Sequence, residues 1–299
     1  MGNYNKAMGI FTSTLKQAEE LNDINTMTIL LSNIGTIHNH KGNYNKALKC
    51  LKKALTIDKE HGNIDRVGGW YNNIGNVYNN KNDQNKAFDY FTLSLKIGEE
   101  LGDNRIRTPL GNLGVIYSSK GNYDLALDYL ARSLKMCEVE GDKREIGVKF
   151  LAIGIIYFYK GDFDMSLDYC KRSLLINESL SDERWIIYTL QYIGVNYYYK
   201  FNSEKAIEYL EKSRAFRKKS ELLDENLSIR TTTYLFLSYK NMGKEYDIKA
   251  LHTLIKDAEN IEFELNLRLY ELLEDKSYLK TAYNQVQEKA DNLEPDVAA

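Results

Sequence analysis

The chain has 299 residues, with 40 Lys and Arg against 42 Asp and Glu and a net charge of −2. That balance lacks the basic excess or stripe of a nucleic-acid binder, and 27% well-mixed charge argues against disorder. No apolar run approaches the roughly 18 residues of a membrane span, and the start, MGNYNKAMGI, has neither the basic n-region nor the apolar h-region of a secretory signal.

Three widely spaced cysteines, Cys50, Cys137 and Cys170, suit free thiols in a reducing, cytoplasmic compartment better than a disulfide framework. Two prolines in the whole chain point to helices joined by glycine-type turns.

From the N-terminus, one loop-plus-helix string recurs: GNYNKAM (2–8), GNYNKAL (42–48), NDQNKAF (82–88), GNYDLAL (121–127), GDFDMSL (161–167) and FNSEKAI (201–207). The starts step by 40, 40, 39, 40 and 40 residues. A second string precedes each later copy: SNIGTIH, NNIGNVY, GNLGVIY, LAIGIIY and QYIGVNY, whose glycines are Gly35, Gly75, Gly114, Gly154 and Gly194. A third closes each unit: LND, HGN, LGD, EGD and LSD. Each unit therefore reads as two amphipathic helices, A and B, ending in a helix C-terminus followed by an N-cap.

In helix A the small glycine admits a neighbouring helix, and three residues later stands Tyr78, Tyr117, Tyr157 or Tyr197, with His38 in the first unit. Helix B carries Ala47, Ala87, Ala126, Ser166 or Ala206 near its start, and small residues at such crossings permit ridge-into-groove contact. Large residues one turn on, Leu51, Phe91, Leu130 and Leu210, fill the space between units. One pair cannot bury its own apolar stripe, so stacking supplies the core.

Further along, Thr108-Pro109 implies a late start or a bend in the third helix A. A sixth unit over 222–261 is degenerate, with Phe236 where glycine is expected and two extra residues before Ala250. Residues 262–293 read as a capping helix pair and 294–299 as a frayed tail. At the front, 2–22 reads as a helix B without its helix A. That implies either a longer chain or an orphan helix serving as the cap, and it leaves an apolar face able to form a homodimer.

The order small residue, aromatic, Gly, Ala, at Gly35, His38, Gly42 and Ala47, resembles the tetratricopeptide repeat (TPR), whose consensus is 34 residues. The 40-residue period, with Gly-Asp in place of the usual proline, resembles the longer variety of Pins-type adaptors and kinesin light chains. The resemblance covers about 2–261 and implies an all-α fold, a right-handed solenoid of stacked antiparallel helix pairs with helices A lining a concave face.

That resemblance also implies which positions face a partner. They give an asparagine ladder at Asn33, Asn73 and Asn112, joined by Asn76, in the N-terminal half. They give an aromatic wall of Phe158, Tyr159, Tyr192, Tyr198 and Tyr199 in the C-terminal half. Asn offers the donor and the acceptor that a peptide unit needs, and helix propensity opposes it, at about 0.7 kcal/mol worse than Ala per site. Pins-type arrays resemble this in setting Asn on a peptide backbone. Arg230 and Lys240 are placed to meet an acidic group. The chain is rich in Asn, and Asn72, Asn79, Asn80 and Asn85 fit a solvated surface. Tyr198 and Tyr199 fit either a groove wall or packing against the next helix A.

Catalytic and metal signatures are missing. His38 and His40 are two apart and face different sides of a helix. No cysteine pair has zinc spacing, and GGWYNNIG lacks the strand and pattern of a dinucleotide fingerprint. The carboxylates sit in runs such as IEYLEK (207–212), which read as solvated helix faces. The expectation is a non-enzymatic scaffold without cofactor or metal, binding a protein or peptide. The chaperone carboxylate clamp of other TPRs is not matched, since Ser32 and Thr36 stand at its Lys and Asn positions. The alternatives are a sensory part of a larger bacterial signalling enzyme (nucleotide cyclase, histidine kinase or ATPase) and, ranked lower, a signalling-peptide receptor.

Overall fold

In the computed structural model, which describes residues 2–102, 104–220, 224–256, 258 and 261–291, the 40-residue period becomes a series of antiparallel helix pairs. A leading helix α1 (Gly2–Glu20) precedes five A–B pairs. These are α2 (Ile24–His40) with α3 (Tyr44–Glu60), α4 (Ile64–Asn80) with α5 (Gln84–Glu100), α6 (Arg107–Ser119) with α7 (Tyr123–Glu140), α8 (Lys143–Tyr159) with α9 (Phe163–Ser179), and α10 (Glu183–Tyr199) with α11 (Ser203–Ser220). Then follow α12 (Glu225–Asn241), a short α13 (Ile248–Ile255), α14 (Phe263–Leu273) and α15 (Lys276–Asp291). Among the described residues there is no strand. The chain divides into two compact units, Met1–Asp142 and Lys143–Ala299. The tail expected at 294–299 lies outside the described residues.

Local chemistry sets the helix ends. Asp23, Asp83, Asn122 and Asp162 each accept the backbone N–H three residues on, at 3.0–3.2 Å, which caps α2, α5, α7 and α9. The turn before each cap needs a left-handed residue. Glycine supplies it at Gly42, Gly121 and Gly161, while Phe201 takes φ 56° at the equivalent place with its ring 94% exposed. The third helix A starts late: a 3-10 turn over Asn104–Ile106 precedes α6, and Pro109 lies in its first turn, where a missing N–H leaves no bond open.

Three repeated devices close the pairs, the first in all five and the other two in the four from α4 onward. The helix-A glycines meet the large residue of helix B. A Cβ on Gly75 would stand 2.6 Å from the Phe91 ring, and one on Gly194 2.6 Å from Leu210 Cγ. Four serines of helix B donate to a backbone carbonyl of helix A: Ser94 to Gly68, Ser133 to Arg107, Ser173 to Gly147 and Ser213 to Ile187, at 2.7–2.9 Å. The helix-A tyrosines stack on a tyrosine twelve residues later: Tyr78 on Tyr90, Tyr117 on Tyr129, Tyr157 on Tyr169 and Tyr197 on Tyr209, with centroids 5.2–5.6 Å apart.

In the degenerate sixth unit, Phe236 fills the glycine site. It is buried and stacks on Tyr246 at 5.2 Å, and the helix that follows, α13, is only 8 residues long. No disulfide joins the cysteines; burial pushes the Cys170 thiol up to about 12.

Candidate peptide-binding faces

In the N-terminal unit, successive A helices present their amides to one another. The Asn73 side chain donates to Ser32 Oγ at 3.3 Å, and Asn80 donates to Asn39 Oδ1 at 3.2 Å. Asn112 Nδ2 is shared between Asn72 Oδ1 at 3.0 Å and Asn76 Oδ1 at 3.2 Å. Asn72 is therefore not on a solvated surface: it is buried, as an acceptor for Asn112. A recess of about 290 Å³ opens among Thr36, Asn39, His40, Leu51, Asn73, Asn76, Val77 and Asn80. The structure thus brings Asn73 and Asn76 into one recess and holds Asn76 from behind with Asn112. Asn33 is half-buried and outside that lining.

Two amide atoms of the residues lining the recess are uncommitted. Asn73 uses its amide nitrogen on Ser32, and Asn76 uses its oxygen on Asn112. Among the described residues nothing bonds Asn73 Oδ1 or Asn76 Nδ2. One is an acceptor and the other a donor, three residues apart on one face of α4.

In the C-terminal unit the aromatic residues and the two cations converge on one place, and α14 lies in it. Phe158 is buried against Tyr192 and Tyr199, with centroids at 6.2 and 5.2 Å. Tyr159 stays 40% exposed. Tyr198 donates to Glu271 at 2.8 Å and Tyr199 to Glu264 at 2.9 Å; Tyr234 also donates to Glu264. Arg230, 7% exposed, lies over the Tyr192 ring and pairs with Glu262. Lys240 donates to the Glu271 carbonyl at 3.1 Å and stands 3.7 Å from Glu274.

The electrostatics follow from this burial. Desolvation, then the neighbouring Glu271 or Glu264, pushes the phenols of Tyr198 and Tyr199 up to about 12. Tyr192 and Tyr234 are raised for the same leading reason. Burial lowers the Arg230 guanidinium, but Tyr192, Glu262 and Glu264 more than reverse this and keep it charged.

Sequence reasoning did not name Glu262, Glu264 or Glu271, nor Gln191, which is buried and donates to the Leu227 carbonyl at 2.8 Å and to Thr231 at 2.7 Å. The available signal was the pair Glu264 and Glu271, seven residues apart and flanked by Leu265, Leu269 and Leu272. Among the described residues no group of His, Cys, Asp or Glu is placed to hold a metal ion, and no helix is long and apolar enough to cross a membrane.

Helix pairs locked by a glycine crossing, with polar and aromatic residues set along their A helices, define a helical-repeat scaffold. The family model described as "Tetratricopeptide repeat" matches residues 25–100, 66–138 and 146–219, and the chain belongs to that family. No curated protein matches the chain. Among solved structures, the apo form of RapI is 17% identical, with 87% of this chain and 99% of that one covered and a TM-score of 0.68. NprR in complex with its cognate peptide NprX is 19% identical, with coverages of 98% and 89% and a TM-score of 0.65. A signal-transduction ATPase of the STAND class with a tetratricopeptide repeat sensor, from Pyrococcus horikoshii, is 19% identical at a TM-score of 0.65; 91% of this chain spans 40% of that one. At these identities the likeness is one of fold.

Proposed function

We propose that the chain is a non-catalytic interaction scaffold that binds an extended peptide segment of a partner protein along the A helices of its N-terminal unit. The observation that carries this is the uncommitted pair in the recess, Asn73 Oδ1 and Asn76 Nδ2, which offers one peptide unit its acceptor and its donor. With Asn73 held by Ser32 and Asn76 by Asn112, the pair reads backbone rather than side chain, so specificity comes from what flanks it. The complex of NprR with NprX shows a protein of like fold engaging a peptide. Three cysteines without a disulfide suit a cytoplasmic setting.

The test uses a peptide selected on the wild-type chain from a display library. Asn73→Ala and Asn76→Ala are each expected to weaken its binding by about 1 kcal/mol, the net worth of one hydrogen bond, with circular dichroism unchanged. Equal affinity of the double variant and the wild type refutes the recess as the binding site.

A second reading has its own support, the fit of this chain over part of the longer STAND ATPase. Here the repeats are the sensory part of a larger signalling enzyme, and the recess holds the signal. Sequencing the reading frame on both sides of these 299 codons separates the two.

A further inference from the structure

Ordinary neighbours in this fold touch through residues about one period apart, as Asn112 touches Asn72. Helix α14 departs from that rule. Its Glu264 and Glu271 bond Tyr199 and Tyr198, 65 and 73 residues away on α10, as well as Tyr234 and Lys240 on α12. It therefore lies across two successive A helices rather than stacking as the next member of the series. Residues seven apart share one helix face, so both carboxylates point to the same side. Leu265 and Leu269, beside them, are 1% and 0% exposed within the core formed with α10 and α12.

The fit is incomplete in one place. Arg230 Nη1 and Glu264 Oε2 are both buried and face each other at 3.7 Å, beyond hydrogen-bonding distance, and neither has another hydrogen-bond partner among the described residues. A helix with the same leucines and carboxylates, free to shift, would close this gap.

We propose that the face of α10 and α12 is a second interaction site, for an acidic amphipathic helix of a partner protein with carboxylates seven residues apart beside leucines, and that α14 holds it in cis. Asn266 bonds the Ile261 carbonyl and Gln285 of α15, so α14 and α15 leave as one hairpin. The site stands independently of the recess in the N-terminal unit.

The test uses full-length chains and a fluorescent peptide of residues 261–275, IEFELNLRLYELLED. Glu264→Lys with Glu271→Lys sets a lysine against Arg230, removes the carboxylates that accept from Tyr198, Tyr199 and Tyr234, and expels the cis helix. Binding of the peptide is expected to be about tenfold tighter than to wild type, because occupancy of the site by α14 reduces apparent affinity by the open fraction. Adding Arg230→Ala to that variant is expected to abolish the gain. Equal affinity for the wild type and the double-lysine variant overturns the proposal, as does tight binding that survives Arg230→Ala. If the double-lysine variant loses helical content, hydrogen exchange on the wild type decides: excess peptide should speed exchange of the α14 amides, and unchanged exchange overturns the proposal. A wild-type dimer with α14 seated in its mate assigns the site to a second copy and also overturns it.

Discussion

Gly75 and Gly69 lie in the same helix, α4, and the same substitution should move stability in opposite directions at the two sites. Alanine gains about 1 kcal/mol of helix propensity over glycine at either position. At Gly69 a Cβ meets nothing within 4 Å, so the gain stands. At Gly75 the new methyl would lie 2.6 and 2.7 Å from two Phe91 ring atoms, well inside the 3.4–4 Å of ordinary contact. Phe91 is 1% exposed and cannot swing aside, so α4 and α5 must separate. Overpacking of that kind costs about 1–3 kcal/mol. Propensity is common to both variants, so the difference between them isolates the overlap: Gly69→Ala should exceed Gly75→Ala by about 1–3 kcal/mol. Urea unfolding followed by Trp70 fluorescence, in a Trp185→Phe background, reports on this unit, because Trp70 is buried in the same helix with its indole on Asp58. Coincident midpoints at equal slope would refute the argument that the glycine is there to admit the ring.

Alkaline pH should release the hairpin of α14 and α15. The folded-state phenols of Tyr198 and Tyr199 sit at about 12, above the ordinary value of about 10. Their contribution is therefore complete below pH about 10 and lost as pH rises towards 12. Loss of ellipticity in that window, shifted upward by Tyr198→Phe with Tyr199→Phe, is the expected titration. Ser173→Ala should cost more than Ser94→Ala. Ser94 makes one bond, to the Gly68 carbonyl, worth about 1 kcal/mol. Ser173 also accepts from the buried Asn177 amide, whose loss adds about 1–3 kcal/mol. Equal unfolding midpoint shifts would contradict this.

The series of paired helices was legible because each pair is closed by short-range chemistry repeated at a fixed interval. Glycine thirty-five residues into the chain announces a close crossing, and four more at the same interval leave no other reading. The serine locks and tyrosine stacks were equally regular in the text, at 26 and 12 residues, but Ser and Tyr have many uses, and only the packed pair shows which one operates. The sequence placed amides on the A helices without showing that Asn72 and Asn76 would both be held by Asn112, since that depends on the angle at which neighbouring pairs meet. Least legible was α14. ELNLRLYELL is an ordinary amphipathic helix by pattern, and its partners lie on α10, two A helices earlier. Such a contact follows from where the chain returns, not from any local signal.

The glycine crossings, serine bonds and tyrosine stacks all lie inside one A–B pair, whereas the asparagine bonds of the recess run from one pair to the next. Gain or loss of a whole 40-residue period in the gene would therefore deliver or remove a pair together with its own crossing and locks. The contacts between pairs, the recess amides and the Trp70 indole on Asp58 among them, would need to find new neighbours. The length of such an array can drift cheaply, while the lining of its recess must be reset at each change of length.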